Sequence, residues 1–68
     1  MLKVGDKIKI TDRYSIFGGE VLTVQREDGA GRFVCTTPKR PRGEYIAYSR
    51  DNGRFWVYAK EDDDDDDD

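Results

Sequence analysis

Apolar and polar residues alternate in short runs along this chain, with the period of a strand rather than of a helix. In Lys7–Asp12, Ile8 and Ile10 fall on one side while Lys7, Lys9 and Thr11 fall on the other, the pattern of a half-buried β-strand. Comparable runs occupy Glu20–Arg26, Arg32–Thr37, Glu44–Arg50 and Arg54–Lys60. No window sets apolar residues at i, i+3, i+4 and i+7, so no amphipathic helix is expected.

Glycine and proline punctuate the runs. DGAG at 28–31 turns the second run into the third. TPKRPRG at 37–43 is a loop, because Pro38 and Pro41 each remove a ladder donor. Gly18 and Gly19 precede the second run, where paired glycines permit a positive φ, a sharp barrel corner or a simple turn. The strongest local signal is Asn52-Gly53 between two aromatic-rich runs. Both residue types tolerate the positive φ that a two-residue type I′ hairpin requires. Residues facing each other across that hairpin have numbers summing to 105 and share a face. One face then collects Ile46, Tyr48, Phe55, Val57 and Ala59, and the other Tyr45, Ala47, Ser49, Trp56, Tyr58 and Lys60. The first set is the more apolar and is assigned to the core. Tyr45, Trp56 and Tyr58 are thereby expected on an outer face.

Five short strands within residues 1–60, with a long loop early and a tight hairpin late, predict an all-β, five-stranded SH3-like small barrel. Closure removes edge strands that so small a sheet could not otherwise protect. The segment VGDKIKITDRYSIFGGEVLTV, residues 4–24, resembles the KOW motif of ribosomal proteins and transcription elongation factors. Gly5-Asp6 matches its turn, Ile8 and Ile10 its strand, Phe17-Gly18-Gly19 its aromatic-glycine pivot, and Val21 and Val24 its second strand. The resemblance implies an SH3-like barrel that works in the transcription or translation apparatus. KOW loops are commonly basic and Gly- or Pro-rich, whereas DRYSIFGG carries one Arg and two aromatics.

Charge changes the picture more than composition does. The chain of 68 residues has a net charge of −3, but residues 62–68 hold seven of its fifteen acids. Residues 1–61 keep twelve basic against eight acidic side chains, a net +4 joined to a tail of −7. Eight consecutive acids, Glu61 with Asp62, Asp63, Asp64, Asp65, Asp66, Asp67 and Asp68, repel one another and have no apolar surface to bury, so a disordered tail is expected at 61–68. A run so dense suits a strongly basic target, on this chain or on another, or serves solubility alone.

Several classes fall away. One cysteine, Cys35, and no histidine exclude an intramolecular disulfide, a cysteine-rich zinc site and most transition-metal ligation. Cys35 reads as a small strand hydrophobe, and no cofactor is expected. No Ser or Cys has a credible base, no glycine loop cradles phosphate, and Asp12 and Arg13 beside Tyr14 read as loop surface, so an enzyme is not expected. Charges interrupt MLKVGDKIKI before an apolar run of seven forms, so no signal peptide is expected. No stretch could span a bilayer. A cytoplasmic monomer with no membrane partner is the default expectation.

The candidate binding residues follow from the charge layout. Lys39, Arg40 and Arg42 project from a proline-stiffened loop and can seat a phosphate backbone or an acidic protein surface. Tyr45, Trp56 and Tyr58, with Arg54 and Lys60 nearby, could stack bases or form a protein hot spot. The leading expectation is a non-enzymatic module that contacts nucleic acid or a nucleoprotein and is tuned by its acidic tail. The alternative is a small inhibitor or adaptor, similar in size and charge to proteins by which phages disable host machinery. Its target would be RNA polymerase or a DNA-binding protein, with the tail imitating nucleic acid. A third reading, an adaptor for Pro-rich peptides, does not require the charge split.

Overall fold

A computed structural model describes residues 2–59. Its elements are β1 (Lys7–Ile10), β2 (Val21–Glu27), β3 (Arg32–Thr36), β4 (Tyr45–Tyr48), a 3-10 turn at Ser49–Asp51, and β5 (Trp56–Tyr58). All five alternating runs form strands. They lie antiparallel in one sheet of order β4-β3-β2-β1-β5, curled into a half-barrel.

Register places the core on the concave side. Ile8 lies opposite Leu22, and Ile10 opposite Trp56. Val24 faces Cys35, and Phe33 faces Ala47. Leu2 and Phe17 complete this buried cluster. Beyond Val24 the alternation of β2 is broken. Val24 pairs with Cys35 but Arg26 pairs with Val34, so Gln25 is an extra residue, a β-bulge. Without it, strict alternation would aim Arg26 at the core. With it, Arg26 lies across from Val34 on the convex side and reaches Glu44 at 3.9 Å. Val34 is buried there, outside the main cluster, with Arg26 and Ile46 as its cross-strand neighbours.

The last third of the chain departs from the expected hairpin. Gly53 takes φ +87°, but Asn52 has φ −59° and ψ 127°, and the Arg54 N–H donates to the Asp51 carbonyl at 2.9 Å. Those angles belong to a type II turn, whereas type I′ needs positive φ at both central residues. The chain therefore does not fold back on β4. It leaves through the 3-10 turn and lays β5 against β1, at the far edge of the sheet.

The face assignment is consequently inverted for the strand residues, although Phe55, in the turn before β5, packs against the core as expected. The two sets of residues were grouped by parity as the strands require, but the set holding Tyr45, Ala47, Trp56 and Tyr58 lies on the concave side. Trp56 is 1% exposed and Ala47 is buried, Tyr45 packs against the core, and Tyr58 is 43% exposed at the edge of the sheet. Ile46, Tyr48 and Val57 are half-buried on the convex side. Counting apolar residues favoured the wrong set because one indole outweighs several smaller side chains: an aromatic buries about 150–250 Å², and burial area decides. Tyr58 completes the arrangement with its ring edge-on to Trp56, centroids 5.3 Å apart.

Trp56 also does a job that no hairpin would need. Its indole N–H donates to the Tyr48 carbonyl at 3.0 Å, joining the two free edges, β5 and β4, through a side chain. Trp56→Phe keeps an aromatic but removes that donor and leaves a void. Urea unfolding should show a loss of about 1–3 kcal/mol with an unchanged m-value, and a loss below the usual surface-substitution scatter would refute the linking role.

Candidate functional site

Two loops meet at one rim of the half-barrel. The first, residues 11–20 between β1 and β2, is fixed by its own backbone. Ser15 N–H donates to Asp12, Gly18 N–H to Ser15, and Gly19 N–H to Ile10 at 2.8 Å, while Thr11 and Asp12 both donate to the Phe55 carbonyl. The paired glycines have separate reasons. Gly19 takes φ +82°, and a Cβ on Gly18 would lie 2.9 Å from the Asp12 carbonyl oxygen, closer than real side chains come. This folding points Phe17 into the core and leaves Tyr14 and Ile16 exposed.

The second loop, residues 37–43 between β3 and β4, is two successive turns. Arg40 N–H donates to the Thr37 carbonyl and Gly43 N–H to the Arg40 carbonyl. Phe17 ties it to the first loop. The ring meets Tyr45 edge-on at 5.8 Å, the Arg40 guanidinium lies 5.9 Å from its centroid, and a Cβ on Gly43 would come within 3.1 Å of it. Arg40 Nε also stands 3.4 Å from Glu20 Oε2. Arg40 is thus a strut between the loops, held by a carboxylate and an aromatic face.

Between the loops lies an open groove of about 470 Å³, lined by Ile16, Lys39, Arg40, Pro41, Arg42 and Gly43. The sequence-predicted basic loop is therefore the wall of a groove. Lys39 and Arg42 are exposed and, among the described residues, have no carboxylate partner. The remaining predicted residues do not join them as one surface. Trp56 is core. Tyr45 backs the groove through Phe17 but is half-buried. Burial raises its phenol pKa, and the negative charges of Asp12 and Asp51 raise it further. Tyr58 sits at the β5 edge, and Arg54 stacks on Phe55 at 5.0 Å. Lys60, Glu61 and Asp62 to Asp68 lie outside the described residues. Sequence reasoning missed Ile16 and the exposed Tyr14. The signal was present in DRYSIFGG, whose aromatics are too many for one pivot.

Neither protein-family models, nor curated proteins, nor solved structures yield a match to this chain.

Cys35 lies in β3, next to its last residue, with no exposed surface. Burial pushes its thiol from the ordinary 9.0 up to about 11, against a smaller opposing effect of a backbone hydrogen bond at Ala47. Such a thiol is a packing group, not a nucleophile. The unfolded chain loses this proton near pH 9 while the folded one keeps it to about pH 11, so stability falls as pH rises through that window. The stability of the natural chain relative to Cys35→Ala should be flat below pH 9 and decline from there to pH 11, read from urea midpoints. A flat difference throughout would mean a solvated thiol.

Proposed function

We propose that this protein is a non-enzymatic binding module whose groove between residues 11–20 and 37–43 takes a polyanionic partner, nucleic acid or a nucleoprotein. One observation carries the reading: Lys39 and Arg42 stand exposed on a proline-stiffened wall with no carboxylate to neutralise them among the described residues. Cations held on a short loop with fixed turns lose little entropy when they meet phosphates, and each contact releases counterions. A five-stranded curled antiparallel sheet with its first and last strands adjacent is also compatible with the SH3-like resemblance, from which the transcription or translation setting of this proposal is taken.

The geometry changes which residues are assigned the contact. Lys39 and Arg42 meet the anion. Arg40, committed to Glu20 and Phe17, positions the loop. Trp56 leaves the interface altogether. The acidic run at 61–68 competes for the same cations by charge alone, since it carries eight acids beside a domain of net positive charge.

For binding to a nucleic-acid fragment, Lys39→Ala with Arg42→Ala should lower the slope of log affinity against log salt by about 1.4 to 1.8. Arg40→Ala should weaken binding with a smaller change in slope. Equal slopes in the natural chain and the double variant would end this reading. Ending the chain at Lys60 should strengthen binding at low salt, with the gain vanishing near ~0.5 M salt, where screening is short-ranged. A gain that survives high salt would show that the acidic run acts by something other than charge.

A further inference from the structure

Beside the groove, and not among its lining residues, stands the Tyr14 ring. Tyr14 is 91% exposed and Ile16 68% exposed, on a loop whose backbone is pinned at both ends. Single exposed apolar side chains are ordinary, but this ring does not lie on a floppy tip. The Tyr14 N–H is bonded to Asp12 Oδ1 at 3.0 Å and the Phe17 N–H to Ser15 Oγ at 3.1 Å, so the backbone that presents the ring is set before any ligand arrives. Arg13, its neighbour, is exposed and has no carboxylate partner among the described residues.

Resting on the groove reading, we infer that the partner is single-stranded nucleic acid, with Tyr14 stacking on an unpaired base while Lys39, Arg42 and Arg13 meet phosphates. Tyr14 stands two residues from Ile16, which lines the groove, so the exposed ring is carried by the same loop that faces the basic wall. Two considerations favour a single strand over a duplex. A ring can stack only on a base that is not already stacked between neighbours, which is the condition of single strands and loops. Duplex binders commonly insert a helix or a ribbon into a groove and neutralise about 6–10 phosphates, whereas this rim offers two loops and, in Arg13, Lys39 and Arg42, three cations without a carboxylate partner among the described residues. Ile16 supplies an apolar floor against which a base or sugar can rest.

The test uses the full chain and two labelled probes of about twelve nucleotides per strand, oligo-dT and a blunt duplex, by fluorescence anisotropy at low salt. Oligo-dT should bind more tightly than the duplex. Tyr14→Ala should weaken oligo-dT binding about 5- to 150-fold without changing the salt slope, because stacking releases no counterions. Tyr14→Phe, which keeps the ring, should bind like the natural chain. Unchanged oligo-dT affinity in Tyr14→Ala, or duplex bound as tightly as single strand, overturns the inference. If the slope still falls in the Lys39 and Arg42 double variant, only the stacking role has failed and the groove reading stands. If neither probe binds, both are overturned. Tyr14 is so exposed that its replacement should leave the urea midpoint unchanged, and matched midpoints will show that any binding loss is not unfolding.

Discussion

Trp56 sits on β5, one free edge of the sheet, and its indole N–H reaches the carbonyl of Tyr48 on β4, the other edge, at 3.0 Å. Among the described residues the sheet does not close by strand pairing, and the indole spans the opening instead. In the same position the ring covers Ile10, its partner in register, and takes the edge of Tyr58. A chain this short buries little surface for its length and has a thin margin of stability. One aromatic that fills the concave side and also bridges its two edges therefore decides the path of residues 49–59. The 3-10 turn and the type II turn at Asp51–Arg54 are the path that brings Trp56 there.

The rim that carries the candidate site depends on a second anchor, Phe17. Its ring goes down into the core while its neighbours Ile16 and Tyr14 stay out. Because Phe17 touches Tyr45, Arg40 and the backbone at Gly43, the loop between β1 and β2 and the loop between β3 and β4 are packed as one unit. A basic loop that moved freely would lose entropy on meeting a polyanion, and this one is already placed. The division of labour among its three cations follows. Arg40 turns inward to Glu20 and Phe17, and Lys39 and Arg42 stay in solvent.

Much of this was legible from the residues, and the gaps have physical causes. Five strands follow from period-2 alternation, since a half-buried strand leaves that imprint whatever its partners. The turn at 28–31 and the glycine at 19 follow from local backbone preference, and the structure gives Gly19 φ +82°. Cys35 reads as a strand hydrophobe and is one. The bulge at Gln25 leaves no local mark, because an extra residue is defined only against the partner strand. Likewise Asn-Gly suits more than one turn, and whether Asn52 takes positive φ depends on where the following strand is drawn.

The charge layout, the strand number and the basic loop were determined by the sequence alone: they rest on which residues are present and on interactions within a few positions. Strand order, the choice of concave face and the membership of the site were decided by tertiary structure. Alternation sorts residues into two faces but carries no sign, so it cannot say which face is inside. That sign came from the volume of Trp56 and the room inside a curled sheet. It moved Trp56 from surface to core, while Phe17 joined the two loops whose Ile16, Lys39 and Arg42 line the groove.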